Sequence, residues 1–347
     1  MVGRIRVLLL ITVIFFSVIF PGSAALAASK TLIKGAGATF PYPLYAKWFN
    51  EYSMLNQGVR FSYQPIGSGE GIAAILEHKV DFAASDKLLS QEEAKRASGK
   101  IIEIPMVLGA VAVAYNLPGS KGELKLTPDL LAAIFLREIK RWNDPRIAAV
   151  NKNFSPLPDQ TITIVHRADP SGTTSIFTDY LSQVSSEWAH RIGKGTLVKW
   201  PAGVGEHGNG GVAQRLKSIP GSIGYIELSY AHGLGLPFAA VRNREGYYVE
   251  PNPASIEGAA RQLRIENVTD QETSLVNKLG RNVYPICSLT WIMVYAQLRD
   301  HQKGEALVKF LKWSLGNGQQ FAMDLHYVRL PEDLRQRALQ LVARIRY

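Results

Sequence analysis

The sequence predicts an α/β fold with mainly parallel strands, in two domains that are not simply strung one after the other. Three observations predict it. Short apolar runs of strand length alternate with amphipathic runs of helix length along most of the chain. The 347 residues suffice for two separate cores. No Gly/Ser/Pro-rich linker, internal repeat or low-complexity tract divides them, so short strands are expected to cross between the domains.

The first residues stand outside that fold. Arg4 and Arg6 precede an apolar run from Val7 to Phe20, and Pro21-Gly22 and Ala25-Leu26-Ala27 follow. A positive n-region, an h-region and an A-x-A site make residues 1–27 a signal peptide cleaved after Ala27. The apolar run falls short of the ~20 residues that span a bilayer as a helix. No cysteine stands at the cleavage site to carry a lipid. Removing 1–27 takes away two arginines and no acid, lowering the net charge from +10 to +8. Basic and acidic residues interleave without a run of five like charges, the pattern of a solvated basic surface.

Strands are expected at TLIKGAG (31–37), VRFSYQPIG (59–67), VDFAAS (80–85), IIEIPMVLGAVAVAYN (101–116), TITIVHR (161–167), SIGYIEL (222–228) and YPICSLTWIMVY (284–295). Helices are expected over 42–54, 70–78, 91–98, 128–136, 174–182, 210–218 and 303–314. The closing LPEDLRQRALQLVARIRY is basic and amphipathic, a docked surface helix. Cys287 is the only cysteine, which excludes an internal disulfide, and its apolar setting predicts a buried, inert thiol.

Three loops share one design. GAGATFPYPLYAKWF places Thr39 in a Gly-rich turn before a proline-opened helix; IGSGEGIAAILEH places Ser68, and DPSGTTSIFTDYL places Ser171, Gly172 and Thr173, at helix starts. Each presents first-turn amides without intrahelical partners, a hydroxyl, and the positive end of a helix dipole. Such termini hold a tetrahedral oxyanion with few full cations. Singly, each loop also reads as a plain N-cap. Arg167 adds a charged, fork-shaped donor, and Asp169, two residues on in an extended segment, points the same way and would orient it; alternatively Asp169-Pro170 is a simple turn. Asp86, at the end of VDFAAS, would accept a proton from a protonated oxyanion and repel one that has none; alternatively it caps the next helix.

Together these stretches resemble a known family. TLIKGAGATFPYPLYAKW, IGSGEG, VDFAASDKLLS, HRADPSGTT and GSIGYIELSYA, with RWNDPRI, VKWPAGVGEHGNGG, YPICSLTW and LPEDLRQRA, resemble the periplasmic phosphate-binding protein of the bacterial high-affinity phosphate ABC transporter, over nearly the whole chain after residue 27. The resemblance implies a two-lobed periplasmic-binding-protein fold of type II with crossing hinge strands. Lobe I would comprise 28–107 and 284–347, and lobe II 108–283. One dehydrated phosphate would sit in the cleft, bound by Thr39 and Phe40 through their amides, the Thr39 hydroxyl, Ser68, Asp86, Arg167 held by Asp169, and Ser171, Gly172 and Thr173. It implies no cofactor and no enzymatic activity. Inorganic phosphate (HPO4/H2PO4) and the membrane permease subunits would be the partners of a monomer in the periplasm, with no nucleic acid among them. Pro170 departs from the glycine usual in the family, and Glu70 brings a carboxylate near the anion loop, facing either solvent or the site.

The competing classes find less support. His166, Asp169 and Ser171 lie too close in sequence for a catalytic triad, and His166 should face away from Arg167's side of its strand. No G-x-S-x-G, P-loop or H-E-x-x-H spacing occurs, so a phosphatase-like hydrolase and a metal site are unsupported. GEHGNGGVAQRL reads as a lobe-surface turn or helix start. A polyanion-binding adhesion protein is compatible with the charge but not specified by it.

Overall fold

The computed structural model describes residues 30–263 and 274–347. The signal-peptide reading of 1–27 lies outside the described residues.

In chain order the elements are β1 (Thr31–Gly37), α1 (Tyr42–Leu55), β2 (Val59–Gln64), α2 (Ser68–Leu76), β3 (Phe82–Ser85), α3 (Gln91–Arg96), β4 (Ile101–Asn116), β5 (Lys125–Leu126), α4 (Pro128–Phe135), α5 (Pro145–Val150), β6 (Thr163–Arg167), α6 (Gly172–Val184), α7 (Ser186–Arg191) and β7 (Val204–Glu206). There follow α8 (Gly208–Ser218), β8 (Ser222–Glu227), α9 (Leu228–Leu234), β9 (Ala240–Arg242), β10 (Tyr248–Val249), α10 (Pro253–Ala260), β11 (Cys287–Tyr295), α11 (His301–Leu315) and α12 (Glu332–Val342). Every strand and helix expected from periodicity is present, with ends displaced by a few residues. Short elements without a strong period, such as β5, β7, α5 and α7, were not anticipated.

Eight strands form one sheet in the order β2-β1-β3-β11-β4-β8-β6-β7, and β10-β9-β5 form a second. The large sheet has two parallel ends. β1 runs parallel to β2 and β3, and β6 runs parallel to β7 and β8. The expectation of parallel strands fails in the middle, where β11 is antiparallel to β3 and β4, and β4 to β8. β4 runs out of one half-sheet into the other and β11 runs back beside it, so the two lie antiparallel. The crossing strand is also not short. β4 has 16 residues and changes partner midway, pairing with β11 over Ile101–Ala110 and with β8 over Val111–Asn116. Its residues from Ile104 to Tyr115 are buried, as its unbroken apolar sequence requires. Pro105 has no N–H for the ladder, and the register of β4 against β11 shifts there, at Thr290/Trp291.

The helices bury faces set by their period. On α1, Tyr45, Trp48 and Tyr52 are buried, and the Trp48 indole N–H donates to the Gly318 carbonyl at 2.7 Å. On α12, Leu334, Ala338 and Val342 are buried, so the basic C-terminal helix docks on the body. Cys287 is fully buried and its thiol is pushed up by burial, as expected of an inert cysteine. Among the described residues no helix is long and apolar enough to cross a membrane.

Candidate anion-binding site

Parallel strands point their carboxyl ends, and the loops that follow, the same way; in open α/β sheets ligands bind there. Here the chain leaves β1 into Thr39, β2 into Ser68 and β3 into Asp86 on one half. On the other it leaves β6 into Asp169 and Ser171, β7 into Asn209, and β8 at Glu227. The two sets of ends meet. A Cβ on Gly172 would lie 2.4 Å from both Asp86 Oδ2 and Ser68 Oγ, and one on Gly67 would lie 2.5 Å from Asp169 Oδ2. The Gly69 amide donates to the Pro170 carbonyl at 3.0 Å. Glycine at these positions is what lets the halves approach, and Gly67 also has φ 104.

Arg167, the last residue of β6, has a side chain only 1% exposed. Its Nε donates to Asp169 Oδ1 at 2.7 Å, and a second guanidinium N–H binds Oδ2. A third donates weakly to Thr173 Oγ1 at 3.4 Å. Five N–H groups are available, so the fork retains donors for a ligand while Asp169 fixes its plane. Burial alone would raise the Asp169 pKa, but the hydrogen bonds and charge of Arg167, with the Gly208 amide at 3.0 Å, outweigh it and hold the carboxyl below the usual range.

Ser171 is the N-cap of α6, its Oγ accepting the Thr174 amide at 3.1 Å. The cap reading and the donor reading are compatible, because an oxygen that accepts there still has its own hydrogen to give. Gly172 and Thr173 open the helix, so their amides have no carbonyl behind them. Ser68 Oγ accepts the Asp86 amide at 3.2 Å and donates to Asp86 Oδ2 at 3.3 Å.

Asp86 is 6% exposed, and among the described residues its Oδ1 has no hydrogen-bond partner. The nearby Thr290 hydroxyl lowers its pKa but donates to the Ser85 carbonyl at 3.5 Å. Burial pushes Asp86 up to about 7, against the pull of the Arg167 charge and the Ser68 hydroxyl. A buried acceptor with no donor calls for a partner that carries a proton.

Thr39 shows the same logic from the donor side. Its Oγ1 accepts from the Asn209 amide at 3.1 Å and from Asn209 Nδ2 at 3.0 Å, which leaves its hydrogen to donate. Its carbonyl receives the Tyr230 hydroxyl at 2.7 Å, and the carbonyl of the fully buried Phe40 receives that of Tyr327 at 2.6 Å. The site therefore gathers N–H and O–H donors around one cation already paired with a carboxylate. It would hold an anion through dipoles more than through net charge.

The relatives decide what such a pocket belongs to. A profile described as the PBP superfamily domain matches residues 22–317. The phosphate-binding protein PstS of Xylella fastidiosa (strain 9a5c) is 43% identical over 303 residues, covering 87% of this chain and 82% of that one. PstS of Pasteurella multocida is 39% identical over 314 residues, covering 90% of each. The chain belongs to the PstS family of phosphate-binding proteins. The crystal structure of a phosphate-binding protein from Stenotrophomonas maltophilia shares the fold, with TM-score 0.63 at 21% identity, covering 89% of this chain and 93% of that one.

Within this PstS-family chain, Thr39, Phe40, Ser68, Asp86, Arg167, Asp169, Ser171, Gly172 and Thr173 all gather at one place. Sequence reasoning missed Asn209. GEHGNGGVAQRL does start a helix, but it is not merely a surface turn: Asn209 is fully buried. Besides Thr39, its Nδ2 reaches Thr173 Oγ1 at 3.0 Å and its Oδ1 accepts the Glu227 amide at 2.9 Å, tying together loops of both halves. The Asn between glycines after a strand was the available signal. Glu70 is exposed, so its side chain faces solvent. His166 faces away as expected, stacked on Trp200 at 5.1 Å with Nδ1 3.0 Å from the Arg167 carbonyl, so it gives Ser171 no base. A cavity of about 330 Å³ borders Asp86 and runs past Ser175, Lys194 and Trp291, beside the donor cluster rather than through it. Among the described residues no group of three His, Cys, Asp or Glu could hold a metal ion.

Proposed function

We propose that the protein captures inorganic phosphate and delivers it to an ABC permease for uptake, and that it is a receptor, not an enzyme. The observation that carries this is Asp86 Oδ1, a buried acceptor without a donor in a ring of donors. Hydrogen phosphate has a hydroxyl to give it; sulfate has none. Thr39, Phe40, Ser68, Arg167, Ser171, Gly172 and Thr173 would donate to the remaining phosphate oxygens, with Asp169 holding Arg167.

Export through the signal peptide 1–27 to the periplasm belongs to the same reading, as does a monomeric state. So does a division into lobe I, 28–107 with 284–347, and lobe II, 108–283, closing on the ligand like a hinge. The change of partner along β4 at Ala110/Val111 supports that division.

Calorimetry with phosphate and sulfate tests the function directly. Phosphate at a hundredfold excess over its Kd should stabilise the fold by about 2.7 kcal/mol, read as a higher melting temperature, while sulfate at the same concentration leaves it unmoved. Equal responses to both anions would remove the proposed role of Asp86. Gly172→Ala tests the meeting of the two halves. Its methyl would press on two short, buried side chains, so phosphate affinity should fall about tenfold or more, while the melting temperature without phosphate changes little. An alanine variant binding phosphate normally would mean the halves need not approach this closely.

A further inference from the structure

Glu227 ends β8, caps α9 and is fully buried, yet no contact proposed above with phosphate uses it. Its Oε2 accepts the Ser229 amide at 2.9 Å, contacts the Ser229 hydroxyl, and lies 3.0 Å from the Tyr327 hydroxyl. Among the described residues its Oε1 has no hydrogen-bond partner. Tyr327 in turn sits 3.1 Å from Ser229 Oγ and 2.6 Å from the Phe40 carbonyl.

The hydrogens in this cluster can be counted. A carbonyl only accepts, so the short contact to Phe40 claims the single hydrogen of Tyr327. If Glu227 were ionised, only the Ser229 hydrogen would remain for three contacts, those joining Glu227 to Ser229, Glu227 to Tyr327 and Ser229 to Tyr327. The carboxylate and the phenol or serine oxygen would then face each other without a hydrogen between them. A protonated carboxyl supplies a second hydrogen, enough for both contacts that Glu227 makes, and leaves only the 3.1 Å approach of Ser229 to Tyr327 without one. The titratable groups facing Glu227 are Asp86 from the end of β3, Tyr230 from α9, and Tyr327. None is a cation, and the charge of Arg167 acts instead on Asp86 and Tyr230.

We propose that Glu227 is a positioning residue for phosphate binding: as a neutral acid it completes the hydrogen-bond chain through Tyr327 to the Phe40 carbonyl, fixing the loop that offers the Thr39 and Phe40 amides, and it loosens that loop on ionising. This role rests on the phosphate reading. Burial, reinforced by Asp86, pushes Glu227 up to about 8 despite its hydroxyl partners. For an acid raised in this way the contribution is present at lower pH and lost as pH rises through about 8.

The test compares wild type, Glu227→Gln and Tyr327→Phe by phosphate calorimetry from about pH 6.5 to about pH 9.5, with infrared spectra of the unliganded proteins. Glutamine keeps the shape and stays neutral, so the ratio of wild-type to variant affinity should fall about tenfold across the range. In the wild-type minus Glu227→Gln difference, where the Asp86 carboxyl cancels, the carbonyl stretch of a protonated carboxyl should be present at neutral pH and fade with a midpoint near pH 8. Tyr327→Phe, which cuts the chain, should bind more weakly at neutral pH and lose most of the pH dependence. A ratio constant with pH, or no protonated-carboxyl signal assignable to Glu227, overturns the role. If no variant and no wild type binds phosphate at any pH, the phosphate reading itself fails and takes this role with it.

Discussion

Arg167→Ala should weaken phosphate binding by about two to three orders of magnitude, the range expected when one partner of a buried, hydrogen-bonded charge pair is truncated. Two losses combine. The anion loses its only full cation among the side chains gathered at the site, and Asp169, 6% exposed, keeps its negative charge beside the pocket with backbone amides, those of Gly208 and Asp169 itself, against it. The second loss also reaches the fold: an unpaired buried carboxylate destabilises by about 3–5 kcal/mol, against a total of about 5–15. The variant should therefore fold but melt lower. Adding Asp169→Asn to Arg167→Ala separates the two, because it removes the stranded charge. The double variant should recover much of the melting temperature and little of the affinity. Calorimetry and melting curves check both, and an alanine variant binding within a few-fold of wild type would mean that the amides and hydroxyls suffice without Arg167.

Asp86→Asn should erode the rejection of sulfate and weaken phosphate. The carboxylate offers an acceptor where a protonated anion has a hydroxyl; the amide can turn an N–H into the same space and satisfy an oxygen that carries no hydrogen. Leaving a buried ionised acceptor against an unprotonated oxygen costs on the order of 2–5 kcal/mol, or about 30-fold to several thousandfold in selectivity. Most of that should disappear in the variant. The wild type carries a related pH dependence. Asp86 is raised to about 7, so its protonated fraction grows as pH falls below that value, and a protonated Asp86 can donate to sulfate. Sulfate should compete with phosphate more effectively in mildly acidic than in mildly alkaline buffer, and this trend should be absent from Asp86→Asn. Competition calorimetry at two pH values reads both. Sulfate rejection that survives the substitution unchanged would place selectivity elsewhere in the pocket.

Much of this protein could be read from its residues because its signals are local. Apolar runs of strand length fix β1 and β4, the 3.6-residue period fixes α1 and α11, and Pro41 and Ser171 mark helix starts through the backbone donors they replace or satisfy. The pairing of Arg167 with Asp169 was also legible, since two residues apart in an extended segment share a face. Elements of two to six residues, such as β5 and α7, carry too few side chains for a period to show.

What the chain's own order of residues determined is the list of donors and acceptors: helix starts bearing hydroxyls, one Arg with its Asp, and a second Asp at a strand end. Only the tertiary structure decided that these meet, because their convergence depends on β4 carrying the chain from one parallel half-sheet to the other and pairing antiparallel on both sides. It alone also decided the chemistry of Asp86, Asn209 and Glu227. A carboxyl or amide in sequence has no fixed burial, and it is the loss of water on all sides that raises the two acids and makes Asn209 a tie between loops.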